Sequence, residues 1–118
     1  LKIIFAELNT LTILGMSSIA KQCRSDTEVF EAVNLLHARQ IFKSQNISIL
    51  FVNIELLQEG DLLKLRTDYV GKLYLIVPKA SFQITYNRFV PKVIDGIINL
   101  ENDLEANQKY LSNIIDGV

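Results

Sequence analysis

Three polar residues stand directly behind short apolar runs rich in β-branched residues: Glu7 behind Lys2-Ile-Ile-Phe-Ala6, Asn53 behind Ile47-Ser-Ile-Leu-Phe-Val52, and Lys92 behind Arg88-Phe-Val-Pro91. If those runs are strands of one parallel sheet, their carboxyl ends share a crevice, the usual place for a ligand or a reacting group in such a sheet. A carboxylate there can hold a hard cation or attack an electrophile, and a lysine can steady the charge that develops. The central position, however, carries an amide. The amide of Asn53 is not a usable nucleophile, and as a metal ligand it offers one neutral oxygen. Val77 and Pro78, which close a fourth run, Lys72-Leu-Tyr-Leu-Ile-Val77, bring no hydroxyl.

The elements that must position these residues follow from periodicity. Lys2–Ala6, Ile47–Val52 and Lys72–Val77 are near-continuous apolar runs, too short for helices, and predict interior strands buried on both faces. Between them, Ile13, Leu14, Met16 and Ile19 recur at helical spacing over residues 12–22, with Asn9 and Thr10 available as caps and Lys21 near the end. Glu28–Val33 alternates as a short strand would, and a helix is the alternative reading of the same residues. Leu35, Leu36, Ile41 and Phe42 mark a second amphipathic helix, ended by Ser44-Gln-Asn46, and Leu62, Leu63 and Leu65 a third. The stretch from Pro78 to Asn87 is too short and too weakly periodic for a full helix. From Ile94 onward, Ile94, Ile97, Ile98, Leu104, Leu111, Ile114 and Ile115 fall near one face of a last, long helix. The fold expected is a single α/β domain over 1–118, a flavodoxin-like doubly wound sheet of five parallel strands in the order 2-1-3-4-5, with its fourth helix short or missing.

Composition narrows the function. The 118 residues are about half apolar and carry a net charge of -1 from 12 basic and 13 acidic side chains spread along the chain, so there is no basic stripe for a nucleic-acid backbone. No apolar run approaches the roughly 18 to 20 residues that span a bilayer. Cys23 is the only cysteine; it cannot form an internal disulfide and leaves no pair for a zinc or redox motif. A cytoplasmic domain is expected, even if the parent protein is anchored in a membrane. The start at Leu1, almost directly in a strand, is what a piece of a longer protein would show.

The order and spacing of the strand ends resemble the receiver domain of the response-regulator family. There an aspartate that accepts a phosphoryl group from a phosphohistidine closes the third strand, a hydroxyl closes the fourth and a lysine closes the fifth. The resemblance assigns the phosphoacceptor position to Asn53, the hydroxyl position to Val77 or Pro78, the lysine to Lys92, and the acidic pair after strand one to Glu7 and Leu8. The family's Met-Pro pair corresponds to Leu56-Leu57, while Gly60-Asp61 keeps something of the turn that follows it. It implies a degenerate receiver, from a hybrid sensor histidine kinase or a related phosphorelay protein. No cofactor is expected and magnesium should bind weakly, because the three acids of the family site are reduced to Glu7 plus the amide oxygen of Asn53. Lys92 would then pair with Glu7 and lock the domain in one state.

The function so implied is non-catalytic: a signalling module that works through protein contacts, with the kinase core or phosphotransfer domain of the same protein as the partner, or a second copy of the chain. Phe82, Ile84 and Tyr86, on a thinly covered sheet edge, are the interaction surface expected. Two alternatives stand beside this: an atypical receiver phosphorylated on another acid such as Glu55 or Asp61, and a small α/β regulatory subunit of a rotary ATPase. His37 is expected to be an ordinary helical histidine and Cys23 a small apolar packing residue. Arg24, Arg39 and Lys43 are expected to belong to a solvated face.

Overall fold

The computed structural model describes residues 1–79 and 93–118. Its elements run β1 (Lys2–Ala6), α1 (Thr10–Cys23), β2 (Glu28–Ala32), α2 (Leu35–Ser44), β3 (Ile49–Asn53), a 3-10 turn (Ile54–Leu56), α3 (Asp61–Asp68), β4 (Lys72–Val77), β5 (Gly96–Asn99) and α4 (Leu104–Asp116). The strands form one parallel sheet in the order β2-β1-β3-β4-β5, as the alternation of apolar runs and amphipathic segments predicts.

Successive strand residues face opposite sides, so each strand feeds two cores. Ile3, Phe5, Ile49, Phe51, Ile76 and Ile98 meet α1 and α4, which contribute Ile13, Met16, Ala20, Leu111, Ile114 and Ile115. Phe5 stacks on Phe51 at 5.0 Å between ring centroids, and Phe51 on Tyr74 at 5.6 Å. On the other face Ile4, Leu50, Val52, Leu73, Leu75 and Val77 meet Leu35 and Ala38 of α2 and Leu65 of α3. Both faces of β1, β3 and β4 are therefore dry, which is why their sequences read as unbroken apolar runs.

The starts of α1, α2 and α4 are set by side-chain caps. Asn9, Asn34 and Asp103 accept hydrogen bonds from the backbone N–H groups of Thr12, His37 and Ala106 at 3.1, 2.8 and 2.7 Å, each satisfying a first-turn donor that the helix leaves free. His37 also accepts the Val33 N–H through Nδ1 at 3.4 Å and serves the start of α2. Cys23 packs at the end of α1 against the core that α1 and α4 share. Arg39 pairs with Asp68 at 3.1 Å, and Arg24 reaches Asp26 at 3.9 Å and the Val118 carbonyl, so neither belongs to a free basic patch.

The end of the chain differs from the expectation. Ile97 and Ile98 belong to β5, not to a helix beginning near Ile94, and the fifth strand of the sheet is Gly96–Asn99 rather than Arg88–Pro91. A four-residue run between Asp95 and Leu100 satisfies helical spacing with Leu104 and Leu111 as readily as it satisfies a strand, so periodicity alone misassigns it. Gly96 suits the strand because the Tyr110 hydroxyl and the Tyr74 ring occupy the space that a β-carbon there would take.

At the amino ends of the strands, Arg66 of α3 donates to the carbonyls of Tyr69 and of Gly71 (2.7 Å) and lies 3.8 Å from Asp95. Asp95 in turn accepts the Leu73 N–H at 2.8 Å and faces Lys72 at 3.7 Å. Tyr69 lies beneath the Arg66 guanidinium and donates its hydroxyl to the Ile47 carbonyl at 3.2 Å. This clamp ties α3, β4 and the residue before β5 together.

Candidate functional site at the carboxyl ends of the strands

β1 and β3 are adjacent and in register, with Ala6 beside Val52. The residues that follow, Glu7 and Asn53, are thereby brought side by side at the sheet's carboxyl edge, and both are buried, at 4% and 7% exposure. Asn53 Nδ2 donates to Glu7 Oε2 at 2.6 Å, a short hydrogen bond between two buried side chains. The same Glu7 oxygen accepts the Leu8 N–H at 3.1 Å. At its other end the Asn53 amide accepts the Glu55 N–H through Oδ1 at 2.8 Å and so forms the 3-10 turn, a use of the Asn side chain common at such turns.

Both halves of the Asn53 amide are therefore engaged. An aspartate could replace the oxygen that accepts from Glu55, but its second oxygen would meet the Glu7 carboxylate where a donor now stands. The amide is the group that lets a buried glutamate and a buried strand end coexist.

Glu7, Leu8, Asn9, Asn53, Glu55 and Leu56 line a depression of about 320 Å³. A divalent metal would have to take its ligands from this set. The Asn53 N–H points at Glu7 Oε2, Asn53 Oδ1 is held by a backbone donor, and Leu8 contributes no side-chain oxygen. Among the described residues no group of three or more His, Cys, Asp or Glu side chains is placed to hold an ion. Magnesium demands near-octahedral hard oxygen ligands, and in this lining Glu7 Oε2 and Asn53 Oδ1 are already engaged by protein donors.

Of the remaining positions, Val77 is fully buried at the end of β4, and Pro78 is half-buried behind it. Val77 pairs with Asn99, the last residue of β5. The strand-closing position assigned to Lys92 is thus held by Asn99. Lys92 itself, with Phe82, Ile84 and Tyr86 of the expected interaction surface and the segment expected to hold the short fourth helix, lies outside the described residues. Asn99 repeats the Asn53 arrangement: its Oδ1 accepts the N–H two residues on, of Glu101, at 3.0 Å, and its carbonyl accepts from Asn107 Nδ2 at 3.0 Å. The sequence signal was present, since Gly-Ile-Ile-Asn99 ends in asparagine as Ile-Leu-Phe-Val-Asn53 does.

The parallel five-stranded sheet in this order is a flavodoxin-like fold of the kind receiver domains have. The solved structures agree. The chain is similar to the receiver domain of the TMAO respiratory system response regulator TorR (18% identity, TM-score 0.77, covering 99% of this chain and 98% of that one). It is similar to a response regulator from Thermotoga maritima (16%, 0.74, 98% and 97%) and to the response regulatory domain of protein mrkE from Klebsiella pneumoniae (12%, 0.68, 100% and 100%). No protein-family model and no curated protein sequence matches the chain; the likeness is one of structure. The fold is that of two-component response regulators.

Proposed function

We propose that the domain is a non-catalytic, receiver-like signalling module that acts through protein contacts in a two-component or phosphorelay pathway. The observation that supports this most is the Asn53–Glu7 hydrogen bond at 2.6 Å. At the position where a receiver needs a free carboxylate, the chain has an amide committed to holding the neighbouring acid. Val77 and Asn99 at the ends of β4 and β5 extend the same argument, since neither supplies the hydroxyl or the cation that the chemistry uses. In this reading no metal is recruited. The natural partner is the kinase core or phosphotransfer domain of the same protein, on the cytoplasmic side. Among the described residues no helix is long and apolar enough to cross a membrane.

The rotary-ATPase alternative is disfavoured by the complete fifth strand and by the likeness to receivers over the whole chain. A working receiver that uses another acid has one observation in its favour: Glu55 is exposed beside the depression that Asn53 lines. Incubation with acetyl phosphate and magnesium, followed by intact-mass measurement, tests the proposal. The expected result is no adduct. A stable gain of one phosphoryl group that is lost on Glu55→Gln or Asp61→Asn would replace this reading with the atypical receiver.

A further inference from the structure

At the amino ends of the strands, Arg66, Tyr69, Val70, Gly71, Lys72 and Asp95 line a depression of about 610 Å³, larger than the one beside Glu7 and Asn53. Arg66 does more there than clamp the scaffold. Its Nη2 serves the Tyr69 and Gly71 carbonyls, while Nη1 has only the Val93 carbonyl at 3.4 Å and Asp95 at 3.8 Å, and Nε has no partner among the described residues. A guanidinium carries five N–H donors, so donor capacity remains on a group that backbone carbonyls already hold in one orientation. Lys72 Nζ lies 3.7 Å from Asp95, beyond hydrogen-bond distance, and its side chain is 59% exposed.

Two backbone donors border the same depression. The Tyr69 N–H closes α3 on the Leu65 carbonyl, and the Lys72 N–H opens β4 on the Ser48 carbonyl. Between them, the N–H groups of Val70 and Gly71 have no partner among the described residues. Successive backbone N–H groups can form an anion-binding concavity. The lining sets two cations, Arg66 and Lys72, against one carboxylate, Asp95, which leaves it net positive. A phosphoryl group suits this set better than a carboxylate, because its three terminal oxygens can accept from a guanidinium, an ammonium and two N–H groups at once. Val70, 96% exposed, offers apolar surface beside those donors. We infer that this depression binds the phosphoryl group of a small phosphate monoester through Arg66, Lys72 and the Val70 and Gly71 N–H groups, with Val70 against the organic part.

This goes beyond the proposed signalling role and is independent of it, since the site lies at the opposite end of the sheet from Glu7 and Asn53. The depression is open to water, so binding is weak, with a dissociation constant of about 0.5–10 mM. Titration of the isotope-labelled chain with phenyl phosphate at constant ionic strength should give saturable amide shifts centred on Val70, Gly71 and Lys72. Benzoate should bind at least ~5-fold more weakly. Lys72→Met, a change at an exposed side chain, should weaken phenyl phosphate at least ~5-fold. Asp95→Asn keeps an oxygen for the Leu73 N–H and removes the opposing charge, so it should tighten binding about 3-fold. Shifts that do not saturate or that centre elsewhere, benzoate as tight as phenyl phosphate, or Lys72→Met binding as the wild type does would each overturn the inference. So would an Asp95→Asn variant that is folded yet binds no more tightly.

Discussion

The two ends of the sheet are closed by different chemistry. At the carboxyl end, two asparagines form local turns, and Asn53 holds the buried Glu7 carboxylate through a short hydrogen bond. At the amino end the closure is ionic and partly open to water: Arg66, Asp95 and Lys72 form a chain of charges around backbone carbonyls and N–H groups, with side-chain exposures of 27%, 31% and 59%. In such a setting the ion pairs contribute little, and the guanidinium's bonds to carbonyls carry most of the stabilisation. On the proposed reading, charge is kept where it clamps the scaffold and is sparse where a receiver would need it to react.

The change that should break this contrast most severely is Asn53→Asp. It sets a second carboxylate oxygen where the Asn53 nitrogen now lies, 2.6 Å from Glu7 Oε2, so that one of the two acids must take up a proton in the folded state. The cost at pH 7 should be about 2–4 kcal/mol in urea denaturation. The native variant would bind more protons than its unfolded chain, so its deficit should shrink as pH falls toward about 4, the unfolded carboxyl range. A variant as stable as the wild type at pH 7 would mean that Glu7 and residue 53 are not energetically linked.

Arg66→Met attacks the opposite end. It removes the fork that joins the Tyr69 and Gly71 carbonyls to Asp95 and leaves them without that donor, an expected loss of about 2 kcal/mol in thermal or urea unfolding. Arg66→Lys should recover only part of it, because an ammonium cannot reproduce the planar, multidentate contact. Equal stability of Lys and wild type would show that charge rather than geometry matters there.

The smallest effect expected is at Tyr69. Burial pushes its phenol well above the usual tyrosine range, against a lowering influence from Arg66. A group whose folded pKa is raised adds stability that is intact below its unfolded pKa, about 10, and is lost as pH climbs beyond it. Tyr69→Phe should therefore cost about 1 kcal/mol at pH 9, through the bond to the Ile47 carbonyl. Denaturation at about pH 11 should show the variant's deficit reduced, because it lacks the phenol that the unfolded wild type ionises.

Much of this arrangement was legible before the fold was in view. The interior strands β1, β3 and β4 announce themselves because burial on both faces leaves only apolar residues, and Asn9 ahead of α1 is a cap by type and place. Glu7 and Asn53 were found because each directly follows such a run. What the sequence concealed depends on three-dimensional register. β5 is four residues long, and its Ile97-Ile98 pair also fits the spacing of a helix. Without the pairing of Val77 with Asn99 there was no way to choose, and Lys92 was taken for the strand-closing residue. The partner of Glu7 was likewise hidden. A salt bridge to Lys92 was the expectation, and Lys92 lies outside the described residues; among the described residues the side-chain donor to Glu7 is Asn53 Nδ2, supplied by the neighbouring strand.

The most direct test of the central claim, that the carboxyl end is locked and not merely missing one acid, is an NMR titration with magnesium and beryllofluoride, a mimic of the phosphorylated aspartate. It should be run on the wild type and on Asn53→Asp under conditions where both are folded. Leu8, Val77 and Asn99 still withhold the second acid, the hydroxyl and the cation after that substitution. Neither protein should therefore give a bound species at stoichiometric ligand, and the amides of Leu8 and Glu55 should stay in place. Stoichiometric binding by Asn53→Asp, with new resonances for Glu7, Leu8 and Glu55, would contradict the account and show a receiver one residue away from activity.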